Sequence, residues 1–238
     1  MTLLTVVDYF CRRTGLPVPG TVYGTTDPQL KQIEALLEEE GNDLARRNDW
    51  ERITYEASHT TLAVEDQGAI ATIASNGFRH IKNETIWDYT DQLPVMGPLN
   101  GKEWQATKAA VASGFRYRYR IRGGKLLSNP APPAGHNWRF EYVSYNWVLA
   151  ADGTTFRQYF GADSDTILLP EDLLLAGLRW RWKKEKGFDY AEDMRTYEMQ
   201  VKDAIGRDAA KPRLYADAEV WRGPRPGIFV PDGNWITS

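Results

Sequence analysis

Apolar residues recur at helical spacing from the start of the chain. Leu3, Val7, Phe10 and Cys11 share one face, and Gly15 stands where a left-handed residue would close the helix. The spacing predicts a helix over 3–14. Pro17, Pro19, Gly20 and Gly24 make 16–26 a loop. Asp27-Pro28 pairs an N-cap acceptor with a residue that has no N–H to leave unbonded, so a second helix opens there. Leu30, Ile33, Leu37 and Leu44 form its apolar stripe, while Glu34, Glu38, Glu39, Glu40 and Asp43 take the other face. Such an acid run is either a solvated face or an acidic contact surface.

The helical period stops near Trp50, and WERITYEASHTTLAV alternates as a strand does. Residues 65–100, broken by Gly68, Gly77, Pro94, Gly97 and Pro98, read as loops with a strand at 81–89. Asn100 or Gly101 opens a short helix through Glu103 and Trp104 to Ser113, with Gly114 closing it. FRYRYRIR then alternates fully. Phe115, Tyr117, Tyr119 and Ile121 lie on one face, and Arg116, Arg118, Arg120 and Arg122 on the other. Gly123-Gly124 signals a hairpin turn into Lys125-Leu126-Leu127. A second hairpin is expected where WRFEYVSYNWVLA meets Asp152-Gly153 and TTFRQYF returns.

Helix resumes at Pro170. PEDLLLAGLRWRWKKEKG carries acids in its first turn and lysines in its last, matching the helix dipole. Asp189 caps a fourth helix in which Tyr190, Met194, Tyr197, Val201 and Ala204 form a seam. Beyond 210, prolines and glycines separate Trp221, Ile228, Phe229 and Trp235. The expected fold is α+β. Residues 1–49 and 169–209 form a four-helix bundle, 50–168 an inserted, mostly antiparallel β domain, and 210–238 an extended C-terminal arm.

Composition narrows the chemistry. Lys plus Arg number 29 and Asp plus Glu 32, giving a net charge of −3 and no global positive field for nucleic acid or anionic membrane. A single cysteine excludes an intrachain disulfide and a Cys-based zinc cage. Asp8 interrupts the first apolar stretch and Arg12 and Arg13 follow it, the reverse of a secretory signal. No run of eighteen apolar residues exists, so no membrane span is expected and assembly in a reducing cytoplasm is. Gly-rich phosphate loops, GxSxG and HExxH are missing, and His59, His80 and His136 are widely spaced. The expectation is no enzyme, no metal and no cofactor. Asp163-Ser164-Asp165 can hold a divalent cation or, with Gly161 before and Thr166 after, form a polar turn; the turn is the simpler reading.

Two patterns point to contact surfaces instead. The four arginines make a stripe about 20 Å long, suited to carboxylates or phosphates, or else to solvent. On the third helix Trp180 and Trp182 point to nearly opposite sides. One joins the core and the other needs a partner outside the bundle, unless both are buried at home.

The order of segments resembles the head–tail adaptor family of tailed bacteriophages, which includes the tail tubular protein A group. The resemblance runs through the first helix ending in Gly-Leu-Pro, TTDPQLKQIEALLEEEGNDLARRNDW, GPLNGKEWQ, RYRIRGGKLL, PAGHNWRFEYVS and ADSDTILLPEDLLLAGLRWRWKKEKGFDYAEDMRTYEMQV, across most of 1–209. It implies a non-enzymatic ring, usually twelvefold, docked under the portal protein in the virion neck. The helical bundle would face neighbouring subunits and portal, and the β domain the next tail component (nozzle, stopper or tail tube). Double-stranded DNA would pass through the lumen without specific binding. Arg116, Arg118, Arg120, Arg122, Trp180, Trp182, Trp221, Phe229 and Trp235 are the candidate interface residues. Nine tryptophans also permit a second reading, a carbohydrate-binding module or glycosidase that stacks sugars on exposed Trp.

Overall fold

The computed structural model describes residues 1–109 and 116–208. The arm at 210–238, with Trp221, Phe229 and Trp235, and the end of the short helix at Ser113 and Gly114 lie outside the described residues. The fold is mixed α+β with antiparallel sheets. The helices are α1 Leu3–Thr14, α2 Pro28–Arg47, α3 Ile70–Ile73, α4 Gly101–Ala109, α5 Glu171–Glu185 and α6 Ala191–Asp208. The strands are β1 Thr54–Thr60, β2 Asp66–Ala69, β3 His80–Ile81, β4 Trp87–Asp88, β5 Leu93–Pro94, β6 Arg118–Arg122, β7 Lys125–Asn129, β8 Asn137–Val143, β9 Val148–Leu149, β10 Phe156–Arg157 and β11 Thr166–Ile167. No helix among the described residues is long and apolar enough to cross a membrane.

The chain divides into two compact units. The first comprises described residues 1–55, 74–80 and 142–208; the second comprises 56–73, 81–109 and 116–141. The first unit is built on the amphipathic stripes. Leu3, Val6, Val7 and Phe10 of α1 share one core with Ile33, Leu37 and Leu44 of α2, Leu174 and Leu178 of α5, and Tyr197 and Val201 of α6. The expected caps close the helices. Gly15 takes φ 72° after α1, and the Asp27 carboxylate accepts the Gln29 N–H at 2.8 Å. Residues 142–168 pack with these helices rather than with the rest of the β region: Trp147, Val148, Phe160 and Ile167 enter the same core. Two glycines permit the closest approaches. A Cβ on Gly41 would fall 2.3 Å from the Trp147 ring, and one on Gly177 would fall 2.1 Å from the Glu40 carboxyl carbon. β10, β9 and β11 form a small antiparallel sheet in which β9 and β10 flank the Asp152-Gly153 turn.

The crossing segment 74–80 is tied into the first unit by hydrogen bonds. Ser144 Oγ and Asn146 Nδ2 donate to the Asn76 carbonyl at 2.7 and 2.9 Å. The Arg79 guanidinium donates to the Ala45 and Arg46 carbonyls at 2.6 and 2.8 Å, satisfying the open C-terminus of α2.

In the second unit one sheet runs in the order β1, β8, β4, β5, with β3 also on β8, and another in the order β2, β7, β6. β6 and β7 form the expected hairpin, in register from Arg118 opposite Asn129 to Arg122 opposite Lys125. Gly123 and Gly124 turn it with φ 59° and 72°, both positive, as a two-residue hairpin loop with the strands' twist requires. α4 opens with a reciprocal cap. Asn100 Oδ1 accepts the Glu103 N–H at 2.9 Å, and a Glu103 carboxylate oxygen accepts the Asn100 N–H at 3.0 Å.

Candidate interaction surface

Arg116 precedes β6, which carries the other three arginines. Tyr119 is buried, while Arg116, Arg118 and Arg122 are exposed and Arg120 is half-buried. Arg118 Nη1 donates to Thr107 Oγ1 of α4 at 3.4 Å, and the Arg120 guanidinium lies beside Gly101, 3.6 Å from where a Cβ would stand. None of the four arginines has a carboxylate partner among the described residues. Two acids at and just before β2, which pairs with β7, are engaged by lysines, Glu65 by Lys108 at 2.7 Å and Asp66 by Lys125. The stripe is a row of fixed positive charge left unneutralised within the described chain.

The two tryptophans of α5 differ from the expectation that one would be left for an outside partner. Trp180 and Trp182 are both buried. Trp182 meets the edge of Phe10 at 5.8 Å and carries Lys186 over its ring at 4.3 Å. Trp180 lies 6.3 Å from each of Tyr190 and Tyr197, with Arg181 over its face at 4.7 Å. Positions two apart on a helix can both be covered when α1 closes one side and α6 the other. The pair therefore serves the core of its own unit.

Glu40 also departs from expectation. The helical pattern places it with the acids of α2's outer face, yet it is fully buried. Arg181 Nε donates to one of its oxygens at 2.7 Å and Tyr197 OH to the other; Arg181 also reaches Glu39 and, at 3.2 Å, Asp43. Burial pushes the Glu40 carboxyl above its usual range, and the Tyr197 and Arg181 bonds pull it part of the way back.

Folding also joins His136 to Asp88 and Asp91, three groups whose ligating atoms lie within 4.8 Å of one another. Asp88 is saturated by donors. Its Oδ1 accepts the Thr90 and Asp91 amides at 2.9 and 3.2 Å, and its Oδ2 accepts from His136 Nδ1 at 2.8 Å and Trp138 Nε1 at 3.2 Å. Burial alone would raise the Asp88 carboxyl, but these bonds outweigh it and hold the group below the usual range. The arrangement is a lock between β4 and β8.

The Asp163-Ser164-Asp165 triplet works as a turn. Asp163 accepts the Val22 and Tyr23 amides at 2.9 and 2.8 Å and the Thr21 hydroxyl at 2.6 Å. Asp165 accepts the Gly161 and Ala162 amides at 2.7 and 3.1 Å. These carboxylates are oriented by the backbone they cap. No protein-family model matches the chain, and no curated protein matches its sequence.

Proposed function

We propose that the protein is a structural head–tail adaptor of a tailed bacteriophage. It would assemble in the host cytoplasm as a homo-oligomeric ring, usually twelvefold in the family it resembles, and sit in the virion neck under the portal. The helices α1, α2, α5 and α6 form the bundle that meets neighbouring subunits and portal, and the second unit meets the next tail component. DNA passes through the lumen without specific binding. The observation that carries this reading is the arginine stripe formed by Arg116 and by Arg118, Arg120 and Arg122 of β6. Four forked cations without a carboxylate partner among the described residues suit bidentate contacts to carboxylates of another protein. The internal satisfaction of Asp88, Asp163 and Asp165 also favours a structural role.

Light scattering on the purified protein, alone and mixed with the portal of the same phage, tests the reading. A multi-subunit ring or a portal complex is expected. Arg118→Glu with Arg122→Glu should remove binding to the tail partner while the circular dichroism spectrum is retained. Unchanged binding by that variant would refute the role of the stripe.

A carbohydrate-binding module or glycosidase is the second reading. Its support is a shallow cleft of about 280 Å³ on the β8–β4 sheet face, where Trp87 and Tyr89 stand beside Arg139, Glu56 and Glu141. Calorimetric titration with oligosaccharides distinguishes it, since binding heat that disappears in Trp87→Ala would favour this reading over the adaptor.

A further inference from the structure

The first unit carries two charged surfaces. One is a groove of about 370 Å³ between α1 and α5, lined by Tyr9, Arg13, Arg179, Trp182, Lys183 and Phe188 among others. Its rim is apolar and uncovered: Tyr9 is 48 % exposed, and Phe188, at 63 %, is the most exposed large apolar side chain among the described residues. Its charge is positive in excess. Arg179 and Lys183 share one carboxylate, Asp193, and Arg13 has no carboxylate partner among the described residues. Exposed aromatic rims with surplus cations suit an apolar surface that bears acids.

The other surface supplies acids. On α2, the half-buried Glu34 and Glu38 stand four residues apart along one flank of the helix, beside the exposed Ala35. Asp163 adds to them, and Lys31 is the cation facing Glu34. Like charges at this spacing repel along a helix. Burial, then Glu38 and Asp163, holds the Glu34 carboxyl above its usual range, and Lys31 only moderates this. Glu38 is partly occupied by the Phe160 amide at 3.1 Å. The charges of the groove are the complement this face lacks.

We propose that the groove between α1 and α5 receives the acidic outer face of α2 from a second copy of this chain, with Arg13 placed against Glu34 and Glu38. No residue lines both surfaces, so one copy can offer its groove to one neighbour and its α2 to another. Repeated head to tail, such a contact builds a ring where its rotation closes. The inference rests on the ring reading above and names the faces that build the ring.

Charge reversal tests it in the full chain, by light scattering over a concentration series at low and high salt. Arg13 and Glu34 suit this purpose because neither side chain has an ion pair within the described chain. Arg13→Glu alone and Glu34→Arg alone should each weaken self-association ~10-fold or more. An equimolar mixture of the two variants should associate again, because each groove then faces a complementary α2. The chain with both changes should likewise recover, and wild-type association should fall with salt. Association unchanged by either single reversal, or no recovery in the mixture and the doubly changed chain, overturns the contact. Assembly that stops at two copies but follows the reversal pattern upholds the contact and overturns the ring. A wild type that stays monomeric at every concentration overturns both.

Discussion

Glu40 occupies a position that the helical period of α2 reserves for an apolar side chain, between Leu37 and Leu44. It is stable there because Arg181 and Tyr197 supply donors to both oxygens. Removing one partner leaves a buried charge without its complement. Arg181→Met should therefore cost roughly 3–5 kcal/mol in urea denaturation, whereas replacing both partners by apolar residues should cost far less. Gly177→Ala belongs to the same site, because the added methyl would collide with the Glu40 carboxyl. It should be strongly destabilising alone and much less so together with Glu40→Ala. Asp88 shows the opposite electrostatic sign. Its folded value is depressed, so its contribution is present above the unfolded carboxylate value of about 4 and is lost as pH falls through the lower folded value. Asp88→Asn should flatten the acid limb of a stability–pH curve and lower stability at neutral pH, where the His136 and Trp138 bonds weaken.

At the scale of elements, α1 and α2 depend on the C-terminal helices for cover. Leu174, Leu178, Trp182 and Tyr197 share one core with Phe10 and Leu37. A fragment ending at residue 168 should give a molten product with weak near-ultraviolet dichroism; a cooperative melt would count against the shared core. Arg79→Ala should cost about 1–2 kcal/mol, because two C-terminal carbonyls of α2 lose charged donors. Much of this architecture was legible in the sequence where a local rule governs. Gly15, Asp27-Pro28, Gly123-Gly124 and Asp152-Gly153 mark their turns and caps because backbone geometry there is decided by one or two residues. The hairpin of β6 and β7 was legible for the same reason, with Gly123-Gly124 at its turn. What was hidden depends on long-range packing. The gap in the apolar stripe at Glu40 was the one visible trace of its burial, but its partners are 141 and 157 positions away. The coverage of both Trp180 and Trp182, and the approach of His136 to Asp88 across 48 positions, had no local signature.

At the scale of the whole molecule, the chain passes from the first unit to the second at residue 56, returns at 74, leaves again at 81 and comes back at 142. The short return is a working part of the first unit, since Asn76 and Arg79 bond to Ser144, Asn146 and the end of α2. Joining residue 55 to 142 through a short linker should therefore yield a weakened first unit. Adding a synthetic peptide of residues 72–82 should raise its melting midpoint, and no response to the peptide would refute the role of the return. This threading bears on inheritance. A gene exchange that breaks the sequence once, anywhere between codons 56 and 141, joins halves from two parents whose segments were never fitted to each other. Even a clean replacement of that whole interval imports a foreign 74–80 into the resident helical unit. Lineages of this protein should therefore recombine at its flanks and pass the interior on intact, so that the two units are inherited together.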